Sequence, residues 1–431
     1  METIVERETT AQPESPEAEA RKKGKDDAEA HRFGKPPEDL PSYEPAVPTR
    51  SRDRGNIRIE TFDLANKGQR RRFIDLPDPF YAGDPHYIAP LKIHHDKLLD
   101  PNRNPAFKNL EVRALVAFDG GRPVARMTAH IDRAYNRYHE SKTGFFGFFE
   151  SINDRKVAHA ILEEGVTWLK QQGMTEIFGP MNFTTNHTAG LLVENFDRPA
   201  MVEETYNPRY YEELLTSFGF GKAKDLLAWW IDIQNGMTGK NRERVARIAE
   251  RIKKREGVTV RGLNLKDVEG ERKRLFELYV KAWEKNWGFV PVDPAEFEWL
   301  TKDLLEIVIP ELVIFVELEG KVVGFCSTIP NVQEVMPKDG KIFPFGWWKL
   351  LTGMKKIKSA RLYTLGMLPE FRKRGLESLM FSETVVRAQA VGIINGEIGW
   401  TLEDNDLINR AIESMDGRVD RRYRILGLKL S

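Results

Sequence analysis

The chain has 431 residues, more than one hydrophobic core usually supports, so two domains are the starting expectation. It is 41% hydrophobic and 30% charged, a globular balance, and its formal net charge of +1 argues against wholesale nucleic-acid binding and leaves attraction to local patches. A lone cysteine, Cys326, excludes an internal disulfide and a multi-cysteine metal site, and its setting in GKVVGFCSTI reads as apolar packing.

The N-terminus, METIVERETTAQPESPEAEARKKGKDDAEA, is charged from the start and has no apolar stretch of signal-peptide type. Its Glu, Pro, Lys and Ala content predicts a disordered polar tail over residues 1–55. No run of about 18 apolar residues follows, so no membrane span is expected and the protein is read as cytoplasmic.

Residues 56–235 read as strand, helix, hairpin, strand, long helix, strand, helix, strand, and residues 245–431 repeat that order. IRIETFDLANKGQRRRFIDL from Ile57 resembles VTVRGLNLKDVEGERKRLFEL from Val258, each with a helix opening on glycine, Gly68 or Gly270. ALVAFDGGRPVARMTAHI matches LVIFVELEGKVVGFCSTI, two strands joined by a hairpin in which Gly121 corresponds to Gly320. Long amphipathic helices end at Gly173 and Gly392, and the spacing from Asn207 to Gly219 recurs from Asn405 to Gly417. The expected fold is α/β, two tandem units each built on a mixed β-sheet flanked by helices. Their boundary falls in NGMTGKNRER, residues 235–244.

Within the first unit, GPMNFTTNHTAG places Asn182, Thr184, Thr185, Asn186 and His187 after a strand end. They form either a hydrogen-bonding lining for an amino-alcohol head group or an ordinary polar turn. No Cys, His or acid lies at ligand spacing around His187, so no metal is expected. In the second unit, residues 338–374 carry ten cationic side chains against Asp339 and Glu370. Phe343, Phe345, Trp347 and Trp348 stand among them, the composition of an anchor that dips rings into an anionic membrane, or of aromatics covering a sheet.

MLPEFRKRGLESLMF, residues 367–381, then turns a strand through Arg372, Lys373, Arg374 and Gly375 into a helix beginning at Leu376 and Ser378. A strand that turns directly into a helix aims free amides and the helix dipole at one spot, which suits a phosphate; the other reading is a solvated basic turn. The same Arg-x-x-Gly spacing occurs at Arg52 and Arg424, so the pattern gains its weight from context. GEIGWTLEDN ends in Glu403, Asp404 and Asn405, with Glu403 a candidate general base or a helix cap.

The element order, with Pro369, Arg372 and Gly375 before a long helix, resembles the GCN5-related N-acetyltransferase (GNAT) superfamily. The resemblance implies acyl-CoA as donor, held at Arg372, Lys373, Arg374, Gly375, Leu376 and Ser378, with the backbone amides of Met367 and Leu368 at the oxyanion and Asn405 as a further cofactor contact. Glu377 replaces the second small residue of the superfamily loop, which admits an acyl carrier protein as an alternative donor. The superfamily's general-acid tyrosine is missing from LINRAIESM, and Tyr423 on the last strand is the substitute. FFESINDRKVAHAILEEG carries no such loop, so the first unit is read as degenerate, serving the acceptor side or the fold alone.

TGFFGFFE, YNPRYYEELL, AWEKNWGFVP, FPFGWWKLL and GWTLEDN are similar to a tandem-domain group that includes bacterial ceramide synthases, a likeness covering about residues 57–428. It implies an N-acyltransferase that moves an acyl group to a sphingoid base or other lipid amine; on the lining reading of the polar turn Asn182, Thr185, Asn186 and His187 would face the acceptor, and on the anchor reading of the basic window the protein would sit peripherally on the inner membrane. Competing expectations are a small-molecule or protein N-acetyltransferase and a catalytically inactive GNAT-fold binding protein. Transfer from aminoacyl-tRNA is disfavoured by the near-neutral charge.

Overall fold

The computed structural model describes residues 40–43, 56–235, 239–342 and 346–430. The rest of the expected tail, together with Phe343 and Phe345, lies outside them. Within that tail, residues 40–43 are not a free polar segment. Leu40 and Tyr43 are buried, the Tyr43 N–H donates to the Lys429 carbonyl at 2.7 Å, and the Tyr43 ring stacks on Phe218. Two apolar side chains in LPSY supply the burial that the surrounding polar sequence lacks.

The first half contains β1 (Ile57–Phe62), α1 (Lys67–Asp75), α2 (Lys92–Leu99), β2 (Leu110–Asp119), β3 (Arg122–Asp132), α3 (Arg133–Tyr138), β4 (Thr143–Ser151), α4 (Arg155–Gln171), β5 (Glu176–Gly179), β6 (Leu191–Glu194), α5 (Tyr211–Phe218) and β7 (Gly221–Asp232). The second contains α6 (Gly239–Glu256), β8 (Val258–Arg261), α7 (Val268–Trp283), α8 (Pro294–Leu305), β9 (Val313–Leu318), β10 (Lys321–Pro330), α9 (Gly346–Gly353), β11 (Ser359–Met367), α10 (Leu376–Ala390), β12 (Asn395–Leu402), α11 (Asp406–Glu413) and β13 (Arg418–Lys429).

The repeated glycines explain much of this correspondence. Gly121 and Gly320 turn the β2–β3 and β9–β10 hairpins at φ of 85° and 77°, and Gly173 and Gly392 close α4 and α10 at 79° and 86°. Only glycine adopts those left-handed angles without strain. On α4, Val157, Ile161, Leu162, Val166 and Leu169 fall on one face and pack with Leu115, Met127 and Phe146 of the sheet. On α10, Leu376, Leu379 and Met380 pack with Phe315 and Phe325.

The strands form one 13-stranded mixed sheet in the order β1-β2-β3-β4-β5-β13-β7-β12-β11-β10-β9-β8, with β6 also pairing β13. The last strands of the halves are exchanged. β13 ends the chain yet lies between β5 and β7, while β7 of the first half pairs with β12 of the second. A division at residues 235–244 therefore separates the chain but not the sheet.

Two pairs are parallel, and both are short. β4 pairs β5 only from Thr143↔Glu176 to Phe145↔Phe178, and β11 pairs β12 only from Ser359↔Asn395 to Leu362↔Ile398. Beyond its register β11 is no longer paired with β12, which leaves a slot between them, whereas in the first half the Met181 N–H still donates to the Phe146 carbonyl at 2.7 Å and holds the chain after β5 against β4. Among the described residues no helix is long and apolar enough to cross a membrane.

Candidate functional site

The slot beyond Leu362 and Ile398 opens into a cavity of about 640 Å³. Tyr363, Thr364 and Leu365 of β11 form one wall, and Gly399, Trp400, Thr401 and Leu402 of β12 form the other. Tyr279 and Trp283 of α7 join them. The cavity continues between the halves, past the 185–188 and 202–207 segments and α2, to Arg126 on β3 and Phe148 and Glu150 near the end of β4. Most of the wall is aromatic or aliphatic, and polar groups are concentrated on the first-half side.

The polar turn of the first half is part of this wall: Asn182, Thr185, Asn186 and His187 all line the cavity. Each is also fixed by the protein. Asn182 accepts from the Phe148 N–H at 2.8 Å, Thr185 donates to the Gly288 carbonyl at 2.7 Å, and Asn186 accepts from the Tyr279 hydroxyl at 2.8 Å. The last two contacts cross from one half to the other. The His187 Nδ1 lies 2.9 Å from the Thr184 hydroxyl, and burial lowers its pKa to about 4, so the ring is neutral near pH 7.

The loop before α10 is arranged around an uncapped helix start. Gly375 occupies the N-cap at φ 85° and no side chain caps the first turn, so the turn of Leu376, Glu377 and Ser378 presents backbone N–H groups. Lys373 is exposed and itself left-handed at φ 61°. The other two cations are already engaged. Arg372 donates to the Ala282 carbonyl, and Arg374 pairs with Glu256 at the end of α6. Glu377 is buried. Met367 and Leu368 are buried at the end of β11, and the Leu368 N–H already donates to the Val323 carbonyl at 3.0 Å, which commits the amide expected at the oxyanion.

Other expected site residues fall elsewhere. Glu403 does not line the cavity. Its carboxylate lies 2.6 Å from the Lys222 ammonium and accepts from the Asp225 N–H at 3.0 Å, an engagement that suits a tie between β12 and β7 rather than a free base. It does not cap α11 either; Asn405 does, accepting from the Ile408 N–H, and Asn405 lines the cavity. Tyr423 is buried behind the wall because β13 crosses into the first half, and its hydroxyl donates to Glu204 at 2.6 Å. Burial, then Glu204, hold that hydroxyl well above the ordinary tyrosine range.

The basic window divides in the same way. Arg361 is 1% exposed and belongs to the interior. Lys355, Lys356 and Lys358 are exposed, as is Trp348 at 60%, whereas Ile342 and Leu350 on either side of Trp348 line the cavity. The Trp347 side chain lies outside what is described. Cys326 is fully buried, with its thiol pushed up to about 12 by burial, and serves as packing.

Sequence reasoning missed a buried charge network at the junction. The Arg361 guanidinium donates to the carbonyls of Val202 at 2.9 Å and Glu203 at 2.8 Å, and lies 3.2 Å from Glu204 and 3.6 Å from Glu397. Arg198 pairs with Glu397 at 3.0 Å from the other side. Burial and then the neighbouring Glu204 raise the Glu397 pKa well above the carboxylate range. The signal was present: Arg361 in SARLYTLGM and Glu397 in NGEIGW are charges at the centres of apolar strands. Among the described residues no cluster of His, Cys, Asp and Glu could hold a metal ion.

No family model matches the chain. The bacterial ceramide synthase of Caulobacter vibrioides is 34% identical over 384 residues, which span 86% of this chain and 98% of that protein. Protein YghO of Escherichia coli is 30% identical over 374 residues, 85% of this chain and 94% of that one. Among solved structures, a tandem GNAT protein from the clavulanic acid biosynthesis pathway matches with a TM-score of 0.51 at 10% identity, covering 87% of this chain and 99% of its own, a likeness of fold.

Proposed function

The chain belongs to the family of the Caulobacter bacterial ceramide synthase and YghO, and we propose that within it this N-acyltransferase moves a long acyl group from acyl-CoA to a lipid amine, a sphingoid base being the acceptor of choice. The cavity carries the reading. Its volume of about 640 Å³ is in the range that takes up a drug-sized ligand, far beyond an acetyl group and a small amine. Its wall is mostly apolar along β11, β12 and α7, with Tyr279, Trp283, Leu362, Leu365, Trp400 and Leu402, where an acyl chain would lie, and hydrogen-bonding at Asn182, Thr185, Asn186 and His187, where an amino-alcohol head group would lie.

The donor enters this reading from the α10 side. Free amides of an uncapped helix start suit the pyrophosphate of CoA, and β11, which borders the slot, runs directly into that loop. A carrier-protein donor would thread the same pantetheine arm through the same slot. The acceptor reaches the cavity past α9, which turns Trp348 outward and Leu350 inward, so contact with an anionic membrane would set a lipid supply beside the entrance.

Incubation with acyl-CoAs of graded chain length and either sphinganine or short soluble amines, read by mass spectrometry, tests the proposal. Long-chain N-acyl-sphinganine is the expected product. Transfer of acetyl alone, or to soluble amines alone, refutes the lipid assignment.

A further inference from the structure

The carboxylates that line the cavity differ in what they already hold. Asp78 pairs with Lys92, Glu150 accepts from the hydroxyls of Tyr81 and Tyr211, Glu204 holds Arg361 and Tyr423, and Asp303 pairs with Lys97. Glu203 and Glu306 both keep exposed side chains at the cavity wall, and Glu203 is the one whose backbone is clamped by Arg361. The Glu203 carboxylate makes no hydrogen bond or ion pair with any described residue. Its exposed side chain lines the cavity.

The backbone holds Glu203 there at some cost. Its φ of 58° lies in the left-handed region, where a side chain with a Cβ is strained. Arg361 over-determines that conformation by clamping the carbonyls of both Val202 and Glu203. Arg361 comes from β11, two residues before Tyr363, which is the first unpaired residue of the slot, and Tyr363 feels the Glu203 charge. A strained, unpartnered carboxylate that lines the cavity and is fastened to the strand that borders the donor slot is a poor structural element and a good receiver of a cation.

We infer that Glu203 receives the ammonium group of the acceptor and takes a proton from it, which makes it a catalytic carboxylate of the N-acyl transfer. The inference rests on the acyl-transfer reading above. Glu203 takes one proton, and the free amine attacks the thioester carbonyl carbon to form the C–N bond. The carbonyl electron pair moves to oxygen and returns as the C–S bond breaks. The second proton on nitrogen passes to the departing thiolate, giving the free thiol and the amide, and Glu203 returns its proton to water. Burial raises the Glu203 pKa, Arg361 and His94 partly offset this, and Asp303 adds to it, so the carboxylate is a stronger base than one in water.

Two measurements on Glu203→Gln test this, both on the full chain. The first is turnover with acyl-CoA and sphinganine, where kcat should fall by about 100-fold or more. The folded fraction and acyl-CoA affinity should be unchanged. The variant's rate should keep climbing toward about pH 9 as the free amine becomes available without a base. Arg361, His94, Asp303, Glu204 and Tyr363 are the neighbouring groups whose charges enter that profile, and they are the same in both proteins. The second is binding of dodecylamine against dodecanol, where wild type should prefer the ammonium by about tenfold and the variant should lose that preference. If Glu203→Gln keeps both turnover and the preference, the assignment is overturned while the reaction stands. If wild type acylates no amine, the reaction fails, and the binding comparison alone then decides whether Glu203 is an ammonium site. A variant that loses rate only in proportion to lost folded protein also overturns it.

Discussion

Replacing Arg361 with methionine keeps a long apolar side chain in place and removes a buried cation that bridges the halves. Four interactions are lost together. The guanidinium no longer clamps the Val202 and Glu203 carbonyls, and the buried Glu204 and Glu397 carboxyls lose a counter-charge. Leaving a carbonyl unpaired after removing a charged donor costs about 1.5–3 kcal/mol, and breaking a buried ion pair from one side costs about 3–5 kcal/mol. These terms share one side chain and do not add, so the expected loss is about 4–6 kcal/mol, a large part of a typical folding stability. Urea unfolding followed by tryptophan fluorescence reads it. The pH dependence gives a second, independent check. The Glu397 pKa is already raised above its usual value of 4.5, by burial first and Glu204 next, while Arg361 and Arg198 pull it down. A carboxyl with a raised folded pKa contributes its stability below the unfolded value and loses it as pH rises through the folded value. Without Arg361 the folded value rises further, so the deficit of the variant should be smaller at about pH 5 than at about pH 8. A loss under about 1 kcal/mol at pH 8, or a deficit that does not change with pH, would refute the view that Arg361 holds this junction.

The repeat was legible because it is written in residues with local meaning. Gly121 and Gly320, or Gly173 and Gly392, demand the same left-handed turn wherever they stand, so matching them aligns the halves before any tertiary contact is known. The exchange of β7 and β13 was not legible. Both strands are long, alternate in the same way and pair antiparallel with their neighbours, so nothing local distinguishes a strand that returns to its own half from one that crosses. That crossing is what misplaced Tyr423, which follows β13 to the Glu204 side of the wall. Glu403 lies away from the cavity for a related reason. The sequence puts it at the end of a slot-forming strand, but Lys222 and the Asp225 N–H on β7 claim it, and β7 was not expected beside β12. The polar turn at 182–187 drew notice because five hydrogen-bonding side chains after a strand end carry their own signal, and four of them line the cavity. Glu203 carried none: in AMVEETY it reads as a surface acid, and only the fold reveals that the surface it faces is the cavity wall.

Ser378→Asp separates a phosphate cradle from a solvated turn. A carboxylate in the first turn of α10 suits the helix dipole, so thermal stability should hold or rise, while acyl-CoA affinity by calorimetry should fall by about 10- to 100-fold through repulsion of the pyrophosphate; an unchanged affinity would leave the loop a basic turn. Glu403→Gln should alter kcat by less than about twofold, since the exposed pair with Lys222 lies outside the cavity, and a loss on the scale of a removed base would reinstate it as catalytic. Trp348→Ser addresses how the acceptor arrives. Trp348 is 60% exposed, so its removal should leave the melting temperature unchanged, and Lys355, Lys356 and Lys358 stay in place to give a residual, salt-sensitive attraction of about 1 kcal/mol each to an anionic surface. Binding to vesicles containing anionic lipid should weaken, and KM for sphinganine presented in those vesicles should rise, while kcat/KM for a short soluble amine stays as in wild type. The helix turns Leu350 to the cavity on the opposite side from Trp348, so anchoring and entry are tied to one element. Absence of vesicle binding by wild type at low salt, or an equal loss of activity on both amines, would remove the membrane from the account and leave the cavity to be filled from solution.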